Sequence, residues 1–397
     1  MARPNVRSSL DLIPGYHSAQ VDVEVRLNTN ESPEPPPSGF VDALKESLDS
    51  LQWNRYPDRE ARALRDRIAQ VESPLVGGGI TAANICVANG SNEILQSLCL
   101  AYGGPGRSVL TFEPTYALHQ HIAQVCGTDV KQVERDSEFQ LDLNQAIAAI
   151  VEHRPSITFL CSPNNPTGMV ESSSTVRAVL DAVESVDGLL VVDEAYGQFA
   201  AWSALSLIEE ERSIVVTRTY SKTWSAAALR LGYLVAPTWV IEQLDKVLLP
   251  YHLDAVTQAA GLLALEYQSE MEQRVAELVG ERTRVSAALA DLHVQQWPSE
   301  ANFILFRPLS PVAAVDTAAL TDTATLTDTA ALTDRAALTD RAAAGNSGDL
   351  VWQGLVDRSV LVRNCSSWPR LSGCLRVTLG TTAENTKFLD ALGEVLT

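Results

Sequence analysis

Basic residues are scarce: 30 Lys and Arg stand against 49 Asp and Glu in 397 residues, a net charge of −19. So acidic a chain repels polyanions, which argues against nucleic acid or an anionic membrane as partner. An anionic small molecule would have to be drawn in by local arginines, not by the global field. Long apolar runs are also missing. No stretch reaches the roughly 20 apolar residues of a membrane-crossing helix. The opening Met-Ala-Arg-Pro-Asn has no apolar h-region, so no signal peptide is expected. Cysteine is sparse, with six residues and no Cys-x-x-Cys or zinc spacing. They read as reduced, mostly buried thiols of a cytoplasmic protein. His119 and His121 fall one residue apart on a predicted helix and face different ways, so no metal site is expected.

What is present is a succession of apolar runs that each end in a polar group. Ser213-Ile-Val-Val-Thr217 leads into Arg218-Thr-Tyr-Ser-Lys222, with Arg230 shortly after. Gly188-Leu-Leu-Val-Val192 ends in Asp193-Glu-Ala-Tyr196. Thr158-Phe-Leu-Cys161 leads into Ser-Pro-Asn-Asn165-Pro-Thr-Gly168. In open α/β sheets, ligands bind at the carboxyl ends of strands. An amine, a carboxylate and a phenol delivered there suit pyridoxal phosphate. Lys222 would hold the cofactor aldehyde and move protons at the substrate's α-carbon. Asp193 would keep the pyridine nitrogen protonated. Tyr196 and Asn165 would bond the phenolate oxygen. Arg230 and Ser221 offer donors for the phosphate.

A fourth segment completes that set. Ile85-Cys-Val-Ala88 reads as a short strand, Gly90-Ser91-Asn92 as a turn with good capping residues, and Glu93 to Leu100 as a helix. Strand, small polar turn and helix present free N–H groups to an anion at Ser91 and Asn92. Each segment alone has a plainer reading: a solvated lysine, a strand-end cap, a proline turn, a helix cap. Their joint order, each beside an apolar run, is what points to one site.

With these motifs the sequence resembles the fold-type-I aminotransferases, and within them the histidinol-phosphate aminotransferase family. Further matching stretches are Leu27-Asn-Thr-Asn-Glu-Ser-Pro33, Arg55-Tyr-Pro-Asp58, Glu113-Pro-Thr-Tyr116, Val362-Arg363 and Leu371 to Gly380, so the likeness covers nearly the whole chain. The resemblance implies that Tyr116 stacks on the cofactor ring and that Thr219 joins Ser91, Asn92, Ser221 and Arg230 at the cofactor phosphate. It implies that Tyr56 reaches across a homodimer to the neighbour's cofactor phosphate. It also implies that Arg363 and Arg376 meet the substrate's phosphate, with Tyr16, Asn28 and Asn30 nearby. The chain departs from the pattern at Glu34, where an aromatic residue is common, and at Gly15, which precedes Tyr16.

The expected fold class is α/β. Residues 1–40 read as an N-terminal arm, the first 30 of them irregular. Residues 41–292 read as a large domain with a mostly parallel, doubly wound sheet, closed by a long linking helix from Glu266 to Leu292. Residues 293–397 read as a smaller α+β domain. Within the last, Thr-Asp-Thr-Ala-Thr-Leu begins at Thr321 and recurs with small changes. A six-residue period matches no helical stripe and brings too little apolar area to order itself. Residues 312–348 therefore read as a surface insertion.

The function expected is transamination of histidinol phosphate with 2-oxoglutarate in histidine biosynthesis. Partners are then a small amino donor, a 2-oxo acid and a second copy of the chain. An aromatic amino-acid aminotransferase is the alternative, since imidazole and phenyl rings ask for similar pockets. A phosphothreonine decarboxylase of the same family is a lesser alternative, which the substrate phosphate alone would not separate; the intact lysine, aspartate and arginine set argues against a silent protein keeping the fold.

Overall fold

The computed structural model describes residues 5–7, 10, 13, 15, 21–77, 79–309 and 347–397. In chain order, β1 (Val25–Leu27) precedes helices α1 (Ser38–Asp49) and α2 (Arg62–Val76). Strand and helix then alternate through β2 (Ile85–Ala88), α3 (Ser91–Tyr102), β3 (Ser108–Glu113), α4 (Leu118–Val125), β4 (Asp129–Glu134), α5 (Leu143–His153) and β5 (Ile157–Cys161). The chain continues with α6 (Ser173–Glu184), the strands β6 (Leu189–Asp193), β7 (Ile214–Thr219) and β8 (Gly232–Val235), and the helices α7 (Thr238–Leu244), α8 (Ala255–Ala264) and α9 (Gln268–Ala290). The remainder supplies β9 (Val294–Gln296), β10 (Phe303–Pro308), α10 (Ser347–Val356), β11 (Val360–Asn364), β12 (Leu375–Thr378) and α11 (Thr382–Leu396).

The chain divides into two compact units. The first is built mainly from Glu34–Asn165 and Met169–Ala276, and the second from Gly15–Pro33, Pro166–Gly168 and Glu277–Thr397. The division thus falls inside α9, earlier than the break in sequence character at residue 292.

The first unit carries a seven-stranded sheet in the order β2-β8-β7-β6-β5-β3-β4. The pairs among β3 to β7 are parallel, while β8 runs antiparallel to both β7 and β2. This is the expected mostly parallel α/β sheet. Every residue of β5 and β6 is buried, as required of strands covered by helices on both faces. The helices start where the sequence supplies caps. The Asp142 carboxylate accepts from the Asn144 and Gln145 amides at α5, and Ser172 accepts from Thr175 N at α6.

The second unit carries a five-stranded sheet in the order β1-β11-β12-β10-β9. Only β1 is parallel to its neighbour, pairing Val25–Leu27 with Val360–Val362. Val25 to Leu27, expected to be irregular, are therefore a strand whose Val25 and Leu27 side chains are buried. The Thr-Asp repeat lies within 310–346, outside the described residues, while Ser347 and Gly348, expected to end the insertion, already open α10. No helix among the described residues is long and apolar enough to cross a membrane.

Candidate active site

In the first unit, Asp193 ends β6 and is buried. One carboxylate oxygen accepts from the Ala195 amide at 3.1 Å and from Thr217 Oγ1 at 3.2 Å. The other lies 2.9 Å from His119 Nε2. His119 is itself buried, stacked on Phe159 with ring centroids 4.7 Å apart and edge-on to Tyr116 at 5.4 Å. The carboxylate is thus fixed from three directions. The sequence reading considered His119 only as a metal ligand. Its position three residues after Tyr116 was the available signal.

Lys222 follows β7 and lies beside Tyr196, its Nζ 5.9 Å from the ring centroid. Thr219 and Ser221 are buried together: Thr219 Oγ1 accepts from the Ser221 amide and the two hydroxyls meet, both at 3.1 Å. Arg230 is exposed and adopts a left-handed backbone (φ 51°). Its guanidinium lies so close to Gly90 that a Cβ on that residue would meet Nη2 at 2.8 Å. Gly90 also has φ 80°, which favours glycine. A Cβ at Gly232 would come within 2.3 Å of the Ser91 amide nitrogen. Two glycines therefore let a guanidinium and a strand close on the first turn of α3, where Ser91 and Asn92 begin the helix. Tyr116 OH donates to Asn92 Oδ1 at 3.2 Å, tying the aromatic ring to that turn.

Asn165 is buried in the loop after β5. Its neighbour Asn164 braces that loop, donating to Pro114 O at 3.0 Å and accepting from Thr115 Oγ1 at 2.8 Å. The peptides Glu113–Pro114 and Ser162–Pro163 are cis. The Ser162 amide donates to Asp193 O at 3.0 Å, so this loop is anchored on β6.

Behind these strands lies a network that the sequence reading missed. Arg218, buried on β7, pairs with Glu194 Oε2 at 2.9 Å and with Glu72 Oε2 of α2 at 3.0 Å. Burial works against its charge, but the two carboxylates outweigh that and hold its pKa above the ordinary value. Glu194 also accepts from Ser203 Oγ at 2.7 Å and from the Ala204 amide at 2.6 Å. Glu72 accepts from the Tyr233 hydroxyl, whose pKa is driven well up by burial and then by the Glu72 charge. The network grips the residues that directly follow Asp193 and precede Thr219.

Tyr56 stands apart from these groups in its contacts. It is 78% exposed and stacks on Tyr251 with centroids 4.4 Å apart and planes 13° off parallel. Trp53 and Leu249 are likewise exposed.

In the second unit, Arg363 of β11 and Arg376 of β12 are direct partners in the antiparallel register. Arg376 is buried over the Phe303 ring at 5.1 Å and donates to Asn28 O at 3.1 Å. Arg363 lies over Trp368 at 5.4 Å. Asn30 has φ 54°. Its amide donates to Thr378 Oγ1 at 2.9 Å, and its carbonyl accepts from Asn302 Nδ2 at 3.3 Å. Asn28, Asn30 and Arg376 are thus gathered at one end of this sheet, with Arg363 opposite. Tyr16 falls outside the described residues.

The first-unit residues fit pyridoxal phosphate. A buried, pre-oriented carboxylate answers a pyridinium. A guanidinium, paired hydroxyls and a helix N-terminus packed by two glycines answer a phosphate. An amine beside a phenol answers the aldehyde.

Comparison with known proteins agrees. The chain matches aminotransferase class I and II over residues 22–392. It is 41% identical to the histidinol-phosphate aminotransferase of Rhodococcus opacus (strain B4), over 98% of this chain and 92% of that one. It is 39% identical to that of Corynebacterium diphtheriae, over 98% of this chain and 96% of that one. The fold superposes with a TM-score of 0.79 on the histidinol-phosphate aminotransferase of Sinorhizobium meliloti in complex with pyridoxal-5'-phosphate. That likeness has 21% identity and covers 100% of this chain and 98% of that one.

Proposed function

Because this chain belongs to the aminotransferase class I and II family, we propose that it moves an amino group from histidinol phosphate to 2-oxoglutarate, using pyridoxal phosphate. The observation that carries the substrate is the Arg363–Arg376 pair, two arginines in direct register on the neighbouring strands β11 and β12. One cation suffices for a carboxylate; two match a phosphate dianion. The relatives that share the chain nearly end to end are named histidinol-phosphate aminotransferases.

Pyridoxal phosphate, when bound, supplies an aldehyde for amines and a ring that takes up electrons from the substrate's α-carbon. The chain's own residues do the rest. Lys222 holds the aldehyde at rest and carries the proton at the α-carbon during turnover. Asp193, fixed by His119, Thr217 and the Ala195 amide, holds a proton on the pyridine nitrogen. Tyr196 and Asn165 bond the phenolate oxygen, and Tyr116 covers the ring face. Arg230, Thr219, Ser221, Ser91 and Asn92 hold the cofactor phosphate. Arg363 and Arg376, with Asn28, Asn30 and Tyr16, hold the substrate.

The working form is a homodimer. The exposed Trp53, Tyr56, Leu249 and Tyr251 support this reading, since large apolar side chains left bare favour a partner surface. A second copy would place Tyr56 at the neighbour's cofactor phosphate. Borohydride reduction of the holoenzyme with peptide mapping tests the assignment. The label is expected on Lys222, and a label on another lysine would sink it.

A further inference from the structure

Arg363 and Arg376 stand in direct register on β11 and β12, and the guanidinium of each lies against an aromatic ring. The two are held differently. Arg376 is buried over Phe303 and also donates to Asn28 O at 3.1 Å. Arg363 is half-buried, and its Cζ lies 5.4 Å from the centre of the Trp368 ring. That is inside the roughly 6 Å over which a cation is drawn to an aromatic face, and indole offers the best of those faces.

The turn between β11 and β12 fixes Trp368. The Cys365 amide donates to Cys374 O at 3.0 Å and continues the strand pairing. The Trp368 amide donates to Cys365 O at 2.9 Å, and its carbonyl accepts from the amide of the buried Leu371 at 3.1 Å. Where the turn begins, Asn364 Oδ1 accepts from the Ser366 amide at 2.9 Å. Asn364 Nδ2 donates to the buried carboxylate of Asp349, on α10, at 2.6 Å. The turn thus brings the indole back over the strand it has just left.

An aromatic partner does something that a carboxylate does not. A carboxylate orients a guanidinium but cancels its charge; an indole face orients it and leaves the charge to act on a ligand. In a chain of net charge −19, a phosphate dianion gains nothing from the global field and depends on such local charge. An arginine side chain also loses much rotamer freedom when it is fixed. Ordering it before the ligand arrives removes that loss from the binding step.

We propose that Trp368 is a positioning residue that selects a phosphorylated substrate, its indole holding the Arg363 guanidinium ready for the phosphate that Arg376 also meets. The inference rests on the reading of the arginine pair given above.

Trp368→Leu should raise the KM for histidinol phosphate about three- to tenfold, as expected for loss of a cation–π contact at a partly exposed site, with kcat unchanged. The KM for phenylalanine, whose single carboxylate can use Arg376, should stay near the wild-type value. Trp368→Phe keeps an aromatic face and should recover most of the loss. Site-specific replacement of Trp368 by tetrafluorotryptophan keeps the shape while withdrawing electron density from the face. It should raise the same KM with the melting temperature unchanged, and it decides the matter if Trp368→Leu does not fold. In an Arg363→Ala background, Trp368→Leu should have no further effect. An unchanged KM in the fluorinated protein, an equal rise for both substrates, or the same rise without Arg363 would overturn the role. A wild type that does not turn over histidinol phosphate would instead refute the proposed function. Inorganic phosphate, competing with the amino donor on the cofactor-loaded enzyme, then tests Trp368 separately: its Ki should rise by the same factor in Trp368→Leu, and an unchanged Ki would overturn the positioning role.

Discussion

Arg363 and Arg376 face each other directly across the antiparallel pair β11–β12. Like charges in that relation destabilise a sheet; on the proposed reading, the substrate's phosphate offsets that repulsion. Each charge-assisted contact to a phosphate contributes about 1.5–3 kcal/mol, or roughly ten- to a hundred-fold in affinity. Arg363→Ala should raise the KM for histidinol phosphate by about that factor and leave phenylalanine, with its single carboxylate, nearly unaffected. Arg376→Lys, which keeps the charge but loses the fork, should impair both. An unchanged KM for histidinol phosphate in Arg363→Ala would refute the pairing.

His119 holds one oxygen of Asp193 at 2.9 Å. His119→Phe keeps a ring against Phe159 but removes that bond. The variant should fold, and its affinity for pyridoxal phosphate should fall by about tenfold or more, as expected of a hydrogen bond to a charged group. Equilibrium binding of the cofactor, followed by absorbance, checks this without turnover. Wild-type affinity would show that the histidine is only packing.

Arg218 neutralises two buried carboxylates, Glu72 and Glu194. Arg218→Met leaves both without their cation. Breaking a buried pair this way costs about 3–5 kcal/mol, and urea denaturation should show a loss of that size in the first unit. A change below about 1 kcal/mol would mean that the carboxylates take up protons or water at little cost.

Glu281 of α9 accepts from Arg284, Asn385 and Thr382. Its carboxyl is lowered from 4.5 to about 2, first by the Arg284 bond. A depressed acid stabilises the fold above its unfolded pKa and loses that contribution as pH falls through the folded one. Glu281→Gln should therefore melt below the wild type at pH 6, and the gap should close between about pH 4.5 and 2. A gap that persists unchanged at pH 2 would contradict the assignment.

Much of this was legible in the sequence because the parallel strands are apolar throughout and end in polar residues at one edge. Leu189 to Asp193 and Ile214 to Thr219 announce both a buried strand and the group it delivers. Strand β4 was not legible. Asp129-Val-Lys-Gln-Val-Glu134 is a half-exposed edge with charges at its ends, and such a strand carries little apolar signal. Nor was β1, three residues whose burial comes from pairing with β11, far along the chain. His119 and the Glu72–Arg218–Glu194 network share that limit. Their partners come from separate elements, and no local pattern marks a buried charge as paired.

Single-turnover reactions of the cofactor-loaded wild type with histidinol phosphate and with phenylalanine, compared at equal concentration, test the substrate assignment most directly. The kcat/KM for histidinol phosphate should be at least tenfold above that for phenylalanine, from one additional charge-assisted phosphate contact. A larger kcat/KM for phenylalanine would contradict it and make this an aromatic amino-acid aminotransferase.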